Sequence, residues 1–496
     1  MPDIRYVCLS DMHLGAETSL LTNLKVGQSE IDPSEASPVF KKLVECLQYL
    51  ISQNEDKDQK PILVLNGDIL ELSLAQDQNA AMAFERFIDL ITDQGKELFD
   101  RIIYNPGNHD HHLWESARET QYVEYISTKP WGTPLPFPWH ATNIFTNPVP
   151  SYFLTRLVKK HPQLKAKDMF IHMAYPNFGL FSDDKTKCVI FHHGHFIESI
   201  YMLMSTLKTM VFPGSQIPKH IWDIEIENFA WIDFFWSMMG RSGEVGKDIG
   251  IIYEKMQDKQ QLKKLLYNLA DGLAKKYDVP GWGKKMKAAI LKALFWYLAN
   301  KLVVPERARP ERLLGKETIN GLKSYVNGPL KEQFMMDPKS KGKPSKVTFV
   351  FGHTHKPFQE KRDSDEYPDG FNVYNSGGWV VDKVDRQLLH GGAVILIDEN
   401  LEATSLRMYN ETKHPDKYTV SVQEARHPVD QPSVFHARID GLVKGSYQLW
   451  ESFSNAVAQA VKVRAQNLRA RIQHADNSSG SIFYFTDKNG KNLSSL

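Results

Sequence analysis

Five short polar clusters, each placed just after a β-rich run, constrain this chain more than any other feature. They are Asp11-Met12-His13, Gly67-Asp68, Gly107-Asn108-His109-Asp110, His192-His193-Gly194-His195 and Gly352-His353-Thr354-His355. The runs before them, residues 4–10, 62–66, 101–105, 188–192 and 347–351, are rich in β-branched and aromatic residues and are followed closely by Gly, Asp or His. Between the early runs, Val39, Leu43, Leu47 and Leu50 recur at helical spacing, as do Phe84, Phe87, Ile88 and Ile91. Strands alternating with helices predict a layered α/β fold whose chemistry sits on loops at strand ends. Runs 371–374 and 393–397 read as further strands of the same core.

Residues 196–345 break this rhythm. Leu262, Leu265, Leu266, Leu269 and Leu273 form one amphipathic stripe, and Met286, Ile290, Leu294 and Leu298 another. The segment reads as a helical insertion, a candidate lid, that ends in two polar linkers at 304–316 and 337–346. The expected units are a core in two parts, 1–195 and 346–405, the insertion 196–345, and a C-terminal extension 406–496 with a helix over about 447–472. In the insertion Phe229, Trp231, Phe234, Phe235 and Trp236 crowd with Met238 and Met239, while Lys284, Lys285, Lys287 and Lys292 accompany Phe295, Trp296 and Leu298. A basic amphipathic helix with aromatics would lie on a membrane surface or grip a lipid-like substrate. Packing of the insertion's own core is the favoured reading of these aromatics. The basic run 458–473, with Lys462, Arg464, Arg469 and Arg471, reads as a solvated helix face.

Composition narrows the classes, and the charge weakens a nuclease reading without excluding it, because a local basic cleft can hide in a neutral total. The 496 residues carry a formal charge of +1, so no overall field draws the protein to nucleic acid. Three scattered cysteines, Cys8, Cys46 and Cys188, suggest neither a disulfide framework nor a thiolate zinc site. No apolar stretch reaches the roughly 18 residues of a membrane span. The chain opens on a strand rather than on a leader, which predicts a cytoplasmic location.

Carboxylate, imidazole and amide donors together suit a divalent ion of intermediate hardness, with Mn²⁺ first and Fe²⁺ or Zn²⁺ as alternatives. Asp-x-His and His-x-His each present two donors from one turn. The donors suffice for two cations only if one carboxylate bridges them. A bridged pair would stabilise both the attacking and the leaving oxygen of an in-line displacement.

In these spellings the chain resembles the calcineurin-like metallophosphoesterase superfamily, over residues 1–195 and about 346–400. The resemblance implies a four-layer α-β-β-α sandwich, here with a helical insertion and a C-terminal extension. It implies a first metal held by Asp11, His13 and His355, a bridging Asp68, and a second metal held by Asn108, His193 and His353. His109 would be the general acid or a phosphoryl-stabilising cation, oriented by Asp110 as its dyad partner; the alternative for Asp110 is a turn residue that caps the following segment. His192 and His195 compete with His193 for one ligand place; the superfamily's ligand directly before Gly favours His193. His111 and His112 read as loop residues.

The spellings Gly67-Asp68-Ile69-Leu70-Glu71 and Gly352-His353-Thr354-His355-Lys356-Pro357 are closest to the branch that includes UDP-2,3-diacylglucosamine pyrophosphohydrolases. His109 stands where those enzymes carry Arg, and the insertion is far longer, so their substrate does not transfer. The expected activity is hydrolysis of a phosphate ester or anhydride by a metal-bridging hydroxide, on a small-molecule or lipid-linked substrate. The runner-up is a nuclease or cyclic-nucleotide phosphodiesterase, and a non-enzymatic scaffold ranks last.

Overall fold

Period-two alternation along the central strands sorts their side chains between two faces. The computed structural model describes residues 1–92, 97–145, 149–165, 170–212, 214–237, 306–309, 311–340, 342–414 and 418–478. The strands are β1 (Ile4–Leu9), β2 (Thr22–Leu24), β3 (Ile31–Ala36), β4 (Ile62–Asn66), β5 (Ile102–Asn105), β6 (Val149–Pro150), β7 (His172–Met173), β8 (Asn177–Phe181), β9 (Lys187–His192), β10 (Lys346–Phe351), β11 (Phe358–Arg362), β12 (Phe371–Asn375), β13 (Gly391–Asp398), β14 (Ala403–Asn410) and β15 (Ser421–Gln423). An eight-stranded sheet has the order β15-β14-β13-β1-β4-β5-β7-β6 and a five-stranded sheet the order β11-β12-β10-β9-β8, while β2 and β3 pair with each other. In the first, β1 (Ile4–Leu9), β4 (Ile62–Asn66) and β5 (Ile102–Asn105) run parallel, with β13 (Gly391–Asp398) antiparallel beside β1. In the second, β9 (Lys187–His192), β10 (Lys346–Phe351) and β12 (Phe371–Asn375) run parallel.

Cys8, Val64, Ile103 and Ile395 point inward to meet Val189, Phe191, Val350 and Tyr374 of the opposite sheet. Their neighbours Leu9, Leu65, Tyr104 and Leu396 point outward under a helical layer. That layer comprises α1 (Pro38–Ser52), α2 (Asp77–Ile91) and the helices Val434–Gly445 and Tyr447–Ser478, which contribute Trp450, Phe453 and Val457. α1 starts where Ser37 Oγ accepts from Phe40 N and Pro38 supplies a preset φ.

The five-stranded sheet turns Ile190, Phe349 and Phe351 outward against Ile197, Ile224, Leu322, Tyr325 and Phe334 of the insertion. The expected four-layer α-β-β-α sandwich is thus the observed fold, and the described part of the insertion supplies its outer layer on that side. The boundary placed at 405/406 falls inside β14 (Ala403–Asn410), which pairs with β13 along its length. Arg464, read as part of a solvated face, is buried and donates from Nε to Ser19 O at 3.2 Å.

Of the expected aromatic cluster, Phe229 and Trp236 are buried and Trp231 is half-buried. The side chains of Phe234 and Phe235, and residues 238–305 with both leucine-rich stripes and the lysine group, lie outside the described residues. Among the described residues no helix is long and apolar enough to cross a membrane.

Candidate metal centre

Parallel strands put their C-terminal ends on one edge, so the first three polar clusters leave the eight-stranded sheet side by side. The last two leave the other sheet opposite them. Asn66 ties the edges together by donating to His192 O at 3.2 Å, and Asn105 donates to Asn66 Oδ1 at 3.0 Å. Close backbone approach is obligatory here. A Cβ on Gly352 would lie 1.9 Å from Asp11 Oδ2, and one on Gly107 would lie 2.3 Å from Asp68 Oδ1.

The seven expected ligand side chains are all buried and form one continuous array. Asp11 Oδ1 lies 3.5 Å from His355 Nε2, which faces His13 Nε2 at 3.3 Å. Asp68 Oδ2 lies 3.9 Å from His13 Nε2 and 3.2 Å from His193 Nε2. His193 Nε2 in turn meets Asn108 Oδ1 at 3.1 Å and His353 Nδ1 at 3.3 Å. Two donor groups result, Asp11/His13/His355 and Asp68/His193/His353, with Asp68 between them. Five of the seven residues adopt positive φ: Asp11 at 47°, His13 at 46°, Asp68 at 52°, His353 at 66° and His355 at 57°. Non-glycine residues rarely do so, and the conformation costs energy that the surrounding structure must hold.

Of the three histidines in the fourth cluster, only His193 joins this array. His192 Nδ1 accepts from Gly194 N at 2.8 Å, and its ring packs near Tyr325 and Phe349. His195 stacks on Tyr175 and contacts its hydroxyl through Nε2 at 3.1 Å. His111 and His112 face the insertion instead: His111 Nδ1 lies 3.1 Å from Asp233 Oδ1, and His112 donates from its backbone N to Ser237 Oγ at 2.9 Å.

Three carboxylates outside the expected set hold the histidines in place. Glu71 Oε2 contacts His13 Nδ1 at 2.8 Å, Asp382 contacts His355 Nδ1 at 2.7 Å, and Glu198 contacts His353 Nε2 at 3.1 Å. For His193 the backbone carbonyl of Asn66 takes this place, 3.3 Å from Nδ1. With those nitrogens occupied as donors, the other ring nitrogen of each histidine presents a lone pair to the array. His109 Nδ1 lies 2.8 Å from Glu71 Oε1, so one carboxylate orients both His13 and His109.

This corrects the role expected of Asp110. Its carboxylate accepts from Gly107 N at 2.7 Å, from Ile69 N at 2.8 Å and from the Tyr104 hydroxyl, so it fixes the loop that carries Asn108 and His109. The only sequence signal for Glu71 was its place three residues after Asp68.

Electrostatics follow from the crowding. Burial alone would raise the Asp68 carboxyl, but the facing imidazoles of His193, His109 and His13 hold it well below the usual carboxylate range. Burial works against charge on His193 and His355 too, yet Asp68 lifts the first, and Asp382 with Asp11 the second, to about 9. Each imidazole wants a positive charge beside these carboxylates, whether a proton or a metal cation. Converging lone pairs, a carboxylate between the two groups and an amide oxygen fit a pair of divalent cations of intermediate hardness.

Residues 4–210 match the calcineurin-like phosphoesterase family. No curated protein matches the chain. The family's members hydrolyse phosphoesters with two divalent cations, and the match supports that general activity for this chain. It spans the first four clusters; the fifth, Gly352–His355 in the chain, lies beyond it and is brought to the same array by β10 pairing with β9.

Proposed function

We propose that this chain is a two-cation phosphoesterase acting on a small or lipid-linked phosphorylated substrate. The observation that carries the reading is the convergence of four imidazole nitrogens, from His13, His193, His353 and His355, each with its other ring nitrogen held by an oxygen. Asp11, His13 and His355 would hold one cation and Asn108, His193 and His353 the other, with Asp68 shared. Mn²⁺ suits this set first. When bound, the cation pair supplies Lewis acidity toward the phosphoryl group and the nucleophilic water.

The chain's own residues do the rest. Glu71 fixes the His109 ring through Nδ1, and the ring would deliver a proton to the departing oxygen. Burial pulls the His109 pKa down, but Glu71 and Asp68 raise it above the ordinary imidazole value, which keeps that proton available near neutral pH. Asp110 and Tyr104 hold the loop so that the ring does not drift.

The insertion serves as a cover that selects substrate. A cavity of about 740 Å³ opens beside Glu198, walled by Phe196, Ile200, Met202, Ile217 and Tyr325, and is suited to an apolar substituent. The motif spelling closest to UDP-2,3-diacylglucosamine pyrophosphohydrolases agrees with an anhydride or lipid-linked substrate, although His109 sets the chain apart from them.

The test is a screen of the Mn²⁺-loaded chain against phosphomonoesters, phosphodiesters, nucleotide-sugar anhydrides and phospholipid head groups, with metal content measured in parallel. Two cations per chain and turnover of one class are expected. Two bound cations with no turnover of any class would overturn the proposal.

A further inference from the structure

Large apolar side chains normally leave water on folding, and the loop after the helix His112–Ser127 does the opposite. Trp131 is wholly exposed, Phe137 is 92% exposed and Leu135 50%. Single apolar residues scattered over a surface need no explanation, but these three stand within one short loop. Pro130, Pro134, Pro136 and Pro138 punctuate the same stretch. Each fixes φ and lacks an N–H. The loop therefore holds its rings outward at small entropic cost and has few amide donors to strand in an apolar phase.

The base of the loop is seated on the helix. Trp139 packs edge-on against Tyr125, with ring centroids 5.2 Å apart, and the Tyr122 hydroxyl donates to Pro136 O at 2.9 Å. Lys129 Nζ lies over the Tyr125 ring at 4.2 Å. The apolar face continues onto the helix Tyr152–Val158, where Tyr152 and Phe153 are exposed and the Tyr152 hydroxyl donates to Glu124 at 2.5 Å. Beyond it, Lys159 Nζ lies 4.9 Å over the Phe170 ring, which is 6.1 Å from that of Tyr152.

Charge completes the pattern. Residues 125–165 hold five cations, Lys129, Arg156, Lys159, Lys160 and Lys165, and no carboxylate, in a chain whose formal charge is only +1. Glu124 brings one carboxylate to the face, and Glu85 pairs with Lys160. Arg156 is exposed one helical turn from Tyr152. Rings that favour the headgroup level, beside cations that attract anionic lipid, are what a peripheral membrane contact requires.

We propose that the loop 129–139 and the exposed start of Tyr152–Val158 dock on an anionic lipid bilayer. Trp131 and Phe137 enter the headgroup layer, and Lys129, Arg156 and Lys159 face its negative charge. The contact is separate from the aromatic and lysine groups of the insertion, and it does not depend on the phosphoesterase reading.

Flotation of the Mn²⁺-loaded full chain tests it, with vesicles of phosphatidylcholine mixed with phosphatidylglycerol against vesicles of phosphatidylcholine alone. Binding to the mixed vesicles is expected, weaker on the neutral ones and falling with salt. W131S/F137S should weaken it about ten-fold or more. K129Q/R156Q should weaken binding to the mixed vesicles by about five-fold for each charge removed. Metal content and melting temperature should stay at wild-type values in both variants. No binding to either vesicle, or affinity of W131S/F137S within about two-fold of wild type, would overturn the proposal.

Tryptophan fluorescence supplies a second measurement. Brominated phosphatidylcholine in the mixed vesicles should quench the wild type, and less so W131F, which keeps a ring and should still bind. Equal quenching in the two would overturn the placement of Trp131. Two other occupants of the face would also sink the proposal. One is a second copy of the chain, seen as a vesicle-free sedimentation mass that falls in W131S/F137S. The other is single-stranded DNA, if it binds the wild type tightly and that variant does not.

Discussion

The two helical layers that close the sandwich are built on different terms. Over the eight-stranded sheet, Leu43, Leu47 and Leu50 of α1, Phe84 and Phe87 of α2, and Trp450, Phe453 and Val457 of the last helix share one apolar cluster. Over the five-stranded sheet, the insertion adds buried Glu198, Glu225, Asn228, Asp233, Glu306 and Gln333 to its apolar contacts. Burying charges and amides costs stability unless each finds a partner. The first layer is thus built for stability, whereas the second spends some of it to place groups. Its carboxylates reach a candidate ligand (Glu198 on His353) and the loop beyond His109 (Asp233 on His111).

Experiments can break or sharpen that contrast. The largest effect should come at the strand ends both layers serve: Asp68→Asn should lose at least one cation, seen by elemental analysis, together with all measurable turnover. Next, His109→Asn should lower kcat by about 10²–10⁴ with metal content intact; loss of metal would make His109 a ligand instead. In the apolar layer, Phe453→Ala should cost about 3–5 kcal/mol in denaturant unfolding, while kcat of the folded fraction stays at the wild-type value. Glu198→Gln in the other layer should do the reverse, weakening cation affinity or turnover about 10–100-fold with little change in melting temperature. If these two variants behave alike, the contrast fails.

The smallest effect is a pH signature of the polar layer. Burial pulls the His111 pKa down, but the Asp233 and Glu225 carboxylates more than offset it and lift it to about 9, above its ordinary 6.5. A raised folded-state pKa adds stability that is fully present below pH 6.5 and is lost as pH climbs through 9. Melting temperature should therefore decline across that window, and His111→Gln should flatten the decline.

The same contrast explains what could be read from the chain beforehand. The apolar layer announced itself by spacing, and the stripe Val39, Leu43, Leu47, Leu50 became the buried face of Pro38–Ser52. The central strands were legible because β-branched runs ended in polar clusters: the runs 62–66 and 101–105 became Ile62–Asn66 and Ile102–Asn105. Short strands such as Val149–Pro150 and His172–Met173 offered too few residues for any period to show.

The seven candidate ligands were legible because His, Asp and Asn next to Gly at strand ends are chemically conspicuous. Glu198, Glu306 and Asp382 were not, since a lone acidic residue in a polar stretch looks the same whether it faces water or an imidazole. Asp110 was assigned to the wrong partner because adjacency in sequence said nothing of where its carboxylate turns, which is toward Gly107 N and Ile69 N.

The left-handed backbone at Asp11, His13, Asp68, His353 and His355 sets these positions against the fold's own interest. Glycine would sit there more comfortably than the side chains that do. A breeding programme that rewarded heat resistance alone would be expected to disarm this chain first at its most useful positions, giving a tougher molecule with nothing left to grip a cation.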